Sequence, residues 1–480
     1  MAISHVNQVA AANVANINGV EVANIGEIQG ATADMAPTYN SKGTPAQLEQ
    51  GWRPIVTYDE DTDRVICVHQ SSASGTYAQL AYTVAKLNDD GTFTTYTQAV
   101  IDSASCKPLA MEYHKRLDKV VLLYNDDTAD KAYVTEGTVT GGSTNTISWT
   151  SRELITNNLF TNANGVYTTV HNGGDVVFVK INPNDSQEKF NWIYHIDACD
   201  VTPAAGDAII YSPSSTPSDI YRNDQSPDAQ DHGITWGNLH GGTNAVNSGF
   251  HAGRNSPSGA VTGQLGAWSF PNTSGDPDMH YLTDGGWVNL DTDDDTENYQ
   301  IAWDEKIGKG LVVAQSHAGS YDSAPYYWQF THDNSDQSVT VNTNGDIIGT
   351  AGYGINCMYD YDAGVIPIMY VYKHATADGG DSPYSLDLRM RVCTLNSSNN
   401  NIALSNEIVL YDGEGGYGQS GNDEMQIPPT TLSPDRIAMC YTSGSRKGIV
   451  VAYTREDNGT GYTYLLSISG QGTTDYSNTV

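Results

Sequence analysis

Apolar and polar positions alternate along this chain in a recurring form, a pair of apolar runs joined by a short acidic or Gly-rich turn. PIVTYDEDTDRVICVHQ (54–70) is the first instance and PLAMEYHKRLDKVVLLYND (108–126) the second. VYTTVHNGGDVVFVKIN (166–182), YQIAWDEKIGKGLVVAQSH (299–317), INCMYDYDAGVIPIMYVYK (355–373) and RIAMCYTSGSRKGIVVAYTR (436–455) complete the set. Each predicts a β-hairpin. The aromatic or His residue before each turn marks a period: Tyr58, Tyr113, His171, Trp303, Tyr359 and Tyr441, with steps of 55 and 58 residues early and 56 later. From His171 to Trp303 the step is 132 residues, room for two units, so one disguised repeat is expected between them.

Two more strand-like runs follow a hairpin, such as TYAQLAYTVAKL and TFTTYTQAVI, DKAYVTEGTVTG and TISWTSRELI, or LDLRMRVCTL and LSNEIVLYDG. Four strands in about fifty-five residues describe a propeller blade, which buries both of its faces. That explains runs such as VVLLY and GIVVAY, apolar throughout where a half-exposed strand would alternate. The prediction is an all-β propeller of about seven four-stranded blades, alternatively six; a β-sandwich array competes less well because the period is short for it. The last unit stops one strand short, in polar TTDYSNTV, and the segment around Leu48 to Trp52 is the natural donor of the missing strand. The expected organisation is a docking or oligomerisation segment over 1–45 and a propeller over 46–480, with an irregular insertion at about 214–298.

Composition narrows the partners. Over 480 residues, 56 Asp plus Glu against 23 Lys plus Arg give a formal net charge of −33, a field that repels nucleic acid and anionic lipid. No eighteen-residue apolar window occurs, and the first basic residue, Lys42, stands too late for a signal peptide, so an unprocessed, soluble chain without membrane insertion is expected. Cys67, Cys106, Cys199, Cys357, Cys393 and Cys440 lie far apart, mostly within apolar runs, and read as buried small hydrophobes.

Candidate chemistry concentrates between 214 and 298. Trp236, His240, Trp268, Tyr281 and Trp287 are the candidate receptor-binding residues, since exposed aromatics beside Asp and Asn suit sugar rings; packing of an irregular loop is the competing reading. DHGITW (231–236) matches most of an Asp-box, with Ala229 where the Ser would stand. Arg222 and Arg254 are the only arginines in this region, too few for the arginine cluster of sialidase-like catalysis. DTDDDTE (291–297) places Asp291, Asp293, Asp295 and Glu297 on one side of an extended strand, where calcium is the metal they favour, with the three aspartates as the candidate ligands; a solvated acidic turn competes, as it does for DEDTD (59–63). HKR (114–116) is the densest basic cluster, in a hairpin turn. No phosphate loop, His-Glu-x-x-His or Gly-x-Ser-x-Gly occurs, so no enzyme and no cofactor are expected.

The chain begins VNQVAAANVANINGVEVANIGEIQG, in which VANINGV is echoed by VANIGEI and Asn18-Gly19 reads as a turn. Val14, Ile17, Val20, Val22, Ile25 and Ile28 would stand exposed in so short a stretch, and with no Lys or Arg near them they lose little on desolvation, so burial in a partner is expected. This leader, the Tyr-Asp-acidic turn-Arg/Lys-Val-Ile hairpins and GTVTGGSTNTISW (137–149) resemble virion structural proteins of tailed bacteriophages, particularly those infecting marine cyanobacteria. The resemblance covers the leader and roughly two thirds of the body. It implies a non-enzymatic fibre, spike or decoration subunit, assembled in the host cytoplasm and located in the virion. Its partners would be other virion proteins, further copies of the chain, and a glycan or protein of the host surface. A glycan-cleaving propeller enzyme and a purely architectural decoration protein are the alternatives.

Overall fold

Each predicted hairpin folds as two antiparallel strands, and further strands extend it into a sheet. The computed structural model describes residues 41–71 and 78–156 apart from 97, 115–117, 143 and 144. Beyond 156 it describes the strands named below, up to residue 469, and the turns 306–308, 347–348, 358–360, 364–365 and 396–407; before 41 it describes six two-residue strands. Blade 1 is Trp52–Asp59, Arg64–Ser71 and Gln79–Leu87, with an outer strand in two pieces, Phe93–Thr95 and Ala99–Asp102. Blade 2 repeats this with Cys106–His114, Lys119–Asp126, Lys131–Thr140 and the pieces Thr146–Trp149 and Glu153–Thr156. Three described strands form blade 3: Val166–Val170, Val176–Asn182 and Lys189–Ile196.

Blade 4 lies where the pattern breaks. Gly233–Trp236, Asn247–Asn255, Thr262–Phe270, His280–Tyr281 and Val288–Asp291 form a regular sheet within the stretch that reads as an insertion, and supply the disguised repeat. Glycine, tryptophan and histidine hide its periodicity. Blade 5 is Thr296–Asp304, Lys309–Ser316, Pro325–Asp333 and Ser338–Asp346; blade 6 is Gly352–Cys357, Ile366–Ala375, Tyr384–Leu395 and the pieces Ile402–Leu404 and Ile408–Tyr411. Blade 7 is Ile437–Thr442, Gly448–Asp457 and Thr460–Ser469, with Asp423–Glu424 against the end of its middle strand. The first strands of successive blades touch in a closed cycle, blade 7 returning to blade 1. The fold is a seven-bladed β-propeller.

Blades bury both faces, as the unbroken apolar runs require. Ile66 and Val68 pack with Met111, Val120 and Leu122 of blade 2, while Val65 and Cys67 on the other side of the same strand pack with Val450, Ala452 and Leu465 of blade 7. Burying one such side chain contributes about 1.5–3 kcal/mol, and a strand sandwiched between sheets does so on every residue.

The ring closes by strand donation. Ser41–Lys42 and Ala46–Gln50 pair with Thr460–Ser469, in the register Ile468 with Lys42, Leu465 with Ala46 and Tyr462 with Gln50. Gly43 N donates to Ser467 O (2.9 Å) and Gly51 N to Gly461 O (3.0 Å). The donor is thus residues 41–50; Trp52, expected within it, opens blade 1 instead, its indole lying so close to Gly461 that a Cβ there would collide with it. The chain divides into the units Met1–Thr38 and Tyr39–Val480, so the closing strands belong to the propeller and the leader is shorter than 1–45.

Within the leader, His5–Val6 pairs with Val9–Ala10, Asn16–Ile17 with Val20–Glu21, and Glu27–Ile28 with Ala31–Thr32. Each pair is joined by two residues, Asn18-Gly19 among them, and the hairpins start at His5, Asn16 and Glu27, each eleven residues after the one before. The structural repeat is therefore eleven residues, not the eight that separate the two sequence echoes.

All closing pairs lie within 39–480. A chain lacking residues 1–38 is expected to keep the urea midpoint of the full chain, followed by tryptophan fluorescence, whereas Gly461→Val, which drives a side chain into Trp52, is expected to lower stability by about 1–3 kcal/mol.

Candidate functional site

The turns that end the first strands of blades 1, 2, 5 and 6 share features of one plan. In blade 1, Asp59 is fully buried and caps its own turn, accepting from Asp61 N (3.0 Å) and Thr62 N (3.1 Å) at Oδ1 and from the Thr62 hydroxyl (2.6 Å) at Oδ2. Asp63 and Asp118 take left-handed backbone angles at the last turn position, where blades 5 and 6 have Gly308 and Gly364. An aspartate tolerates that angle and adds an acceptor: the Tyr58 hydroxyl donates to Asp63 Oδ1 (2.7 Å), and the Tyr113 hydroxyl to Asp118 Oδ1 (3.0 Å). DEDTD is therefore an internally bonded turn. Burial raises the Asp59 carboxyl above its ordinary range, the turn's own donors pull it back, and Asp118 adds to the rise.

Two contacts carry this plan from blade to blade. Tyr113 of blade 2 also donates to Asp61 Oδ2 of blade 1 (3.0 Å), and Tyr359 of blade 6 hydrogen-bonds Asp304 of blade 5. In the other direction, Arg64 Nε of blade 1 donates to Asn145 Oδ1 of blade 2 (2.6 Å), and Lys309 Nζ of blade 5 donates to the carbonyls of Asn396 (2.7 Å) and Asn399 in blade 6. Arg64 pairs in register with Asp59, and Lys309 with Asp304. The sequence signal was an Asp followed five positions later by Arg or Lys; it marked the hairpins, but its reach into the next blade was not legible.

The other arginines with described contacts are similarly engaged. Arg152 Nη1 bonds Asp102 (2.5 Å) and Asp126 (2.8 Å) and lies over the Tyr133 ring at 4.1 Å. Arg389 bonds Asp387 (2.6 Å) and Glu407 (3.3 Å) and lies over the Tyr372 ring at 3.7 Å. Each guanidinium is tied to two carboxylates and a ring of the fold. Cys67, Cys106, Cys357, Cys393 and Cys440 are free and buried, and burial pushes each thiol above its ordinary range, opposite to what a nucleophilic cysteine needs.

Of the candidate receptor-binding residues, register brings three into one row. Trp236 stands opposite Gly249, Gly249 opposite Trp268, and Trp268 opposite Tyr281; His240 and Trp287 lie outside the described residues. Blade 5 has the same row: Trp303 opposite Gly310, and Gly310 opposite Phe330. There the rings stack at 5.6 Å and 17° over a glycine whose Cβ would collide with Phe330, and both are buried, with Phe250 of blade 4 packed 4.5 Å from Trp303. Trp236 thus occupies the marker position of blade 4, equivalent to Tyr58, Tyr113, Trp303 and Tyr359, all buried. DHGITW accordingly ends in a first strand of a blade, Gly233–Trp236.

Asp291 ends the outer strand of blade 4 opposite Gly263, and Asp293 and Asp295 lie outside the described residues. Among the described residues no three His, Cys, Asp or Glu side chains gather as a metal site. In the leader, Ile17 pairs with Val20 and Ile28 with Ala31, while Val14, Val22 and Ile25 lie outside the described residues. His114 of the HKR cluster is buried, and Lys115 and Arg116 are likewise outside.

No family model matches the chain, and no curated protein matches it. Solved structures similar to it include the β-propeller domain of the Trilobed protease from Pyrococcus furiosus, at 8% identity over 90% of this chain and 100% of that one, with a TM-score of 0.42. The β-propeller domain of Nup133 from Vanderwaltozyma polyspora aligns at 8% identity over 89% and 97%, with a TM-score of 0.39. A candidate 6-phosphogluconolactonase from Bacteroides uniformis aligns at 11% identity over 74% and 84%, with a TM-score of 0.42.

Trp303→Ala is expected to lower stability by about 3–5 kcal/mol in urea unfolding, the cost of emptying a packed aromatic position beside Phe250 and Phe330; an unchanged midpoint would overturn that reading. Arg64→Ala and Asn145→Ala are each expected to cost about 1.5–3 kcal/mol, and the double variant less than their sum, because the two share one bond.

Proposed function

We propose that the chain is a non-enzymatic structural component of a phage virion, attached by its leader and presenting the propeller outward to the host surface. The observation that carries the reading is the division of the chain into a leader unit, Met1–Thr38, and a propeller whose closing strands begin at Ser41. A ring that seals without the leader leaves that segment available to a partner. Its repeated hairpins hold Ile17, Val20 and Ile28 at their strand positions, and the 38 residues contain three acids, Glu21, Glu27 and Asp34, and no Lys or Arg. Such a segment is costly to leave in water and cheap to desolvate, whereas the body keeps most of the charge and suits the solvent-facing role. The resemblance of leader and hairpins to tailed-phage virion proteins supplies the particle as the partner.

Phage particles assembled with a chain lacking residues 1–38 are expected to be devoid of the protein while the truncated chain stays folded in the lysate. Incorporation at the full-chain level would overturn the anchoring role.

A further inference from the structure

The interface at which the ring closes differs from a simple apolar blade contact. On blade 1, Cys67 and His69 stand on the side of their strand that faces blade 7, since Cys67 packs with Val450, Ala452 and Leu465; Thr83 is the register partner of Cys67 and Ala81 that of His69. On blade 7, Thr454 and Thr463 are partners of each other, two positions from Ala452 and Leu465 on the same side. These four polar side chains, His69, Thr83, Thr454 and Thr463, are buried, and His69 Nε2 and the three threonine hydroxyls have no hydrogen-bond partner among the described residues. Buried groups of this kind are ordinarily satisfied by internal water. The edge of the patch is the closing segment itself: Gly51 lies directly against the His69 imidazole, its N–H bonded to Gly461 of blade 7, and Trp52 covers Gly461.

We infer that this polar seam makes ring closure acid-sensitive, with protonation of His69 at Nε2 loosening the contact between the first and last blades. His69 Nδ1 faces the Gln70 carbonyl at 3.3 Å, which fixes the hydrogen there and leaves Nε2 as the bare acceptor. A proton on Nε2 would create a buried imidazolium. Among the described residues, Tyr58 and Cys67 on blade 1 and Cys440 on blade 7 are the titratable side chains in the buried contact between the two sheets; burial raises the pKa of each, so all three are neutral in acid and none of them offsets the new charge. Glu49 on the closing strand is exposed, Arg53 follows Trp52, and Glu456 is the register partner of Gly461 at the edge of the patch. Burial lowers the His69 pKa from 6.5 to about 4, opposed by the hydrogen bond to the Gln70 carbonyl. The folded pKa lies below the free value, so the opened seam binds the proton more tightly. Closure is complete above pH 6.5 and is lost progressively as pH falls toward 4. Asp59 and Asp304, whose pKa values are raised by burial, act in the opposite sense, so the effect has to be read against a variant lacking only the imidazole.

Hydrogen exchange of the full chain tests this, with protection factors corrected for the intrinsic pH dependence of exchange. Between pH 7 and pH 5 the amides of residues 41–51 and 460–469 are expected to open roughly 20-fold more often, as the two pKa values dictate, with no such excess in blade 2 and none in His69→Gln. Equal pH dependence in His69→Gln, or a uniform loss of protection around the ring, would overturn the proposal. Should His69→Gln fail to fold, the His69 C2 proton resonance of the unaltered chain decides: titration near 6.5 in the closed ring overturns the inference, and titration near 4 sustains it.

Discussion

Seven sheets in a ring satisfy one another only if the last meets the first. The pairing of Ser41–Lys42 and Ala46–Gln50 with Thr460–Ser469 supplies that meeting. Without it, blade 7 would present an unpaired edge and the apolar faces of blades 1 and 7 would open to water. Every other contact around the ring presumes this one, because each blade is held by two neighbours and none has enough buried surface of its own on a single face. The small residues at the junction follow from it: Gly43 beside Ser467 and Gly91, Gly51 beside His69, and Gly461 beside Trp52 stand where a Cβ would collide.

The junctions between ordinary blades rely on directed polar contacts laid over apolar packing. An aromatic residue of one blade bonds the acidic turn of the blade before it, and a basic residue of that turn reaches the outer turn of the blade after it, at blades 1 and 2 and again at blades 5 and 6. With so few cations in an acidic chain, Arg64, Lys309 and Arg152 between blades and Arg389 within blade 6 each stand where they meet several oxygens. Acids such as Asp59 and Asp126 sit in turns whose own backbone N–H groups satisfy them.

Much of the ring could be read in the sequence because its signal is hydrophobic and local. The hairpins at 54–70 and 108–126, the four-strand unit and the completion of the last blade by residues near Leu48 all follow from apolar runs, turn chemistry and the need to avoid an open edge. Blade 4 resisted because Gly249, Gly263 and Gly266 replace branched residues in its strands, with large aromatics such as Trp268 opposite, so its mass sits in rings rather than in an apolar period. For the same reason Trp236 and Trp268 stood out only as binding candidates: a tryptophan between polar neighbours shows nothing in the sequence of the glycine that register sets across from it. The inter-blade reach of Arg64 and Lys309 joins segments some eighty to ninety residues apart, information no local pattern contains. The eleven-residue spacing of the leader hairpins was obscured by a stronger eight-residue echo in residue identity.

The strand that seals the ring also fixes the order in which the molecule can be made. The Ser467 hydroxyl donates to the Gly91 carbonyl at 2.7 Å across 376 residues of chain, and the adjoining ladder spans still more. Neighbouring blades can form from short-range hairpins as they become available, but the seam waits for both ends of the propeller, so its loop-closure entropy is met last and in one step. Until then the growing array is an open arc with two exposed blade faces. Proper folding thus depends on keeping such arcs from meeting each other before each meets its own end, and a strongly negative surface, by mutual repulsion, slows that encounter.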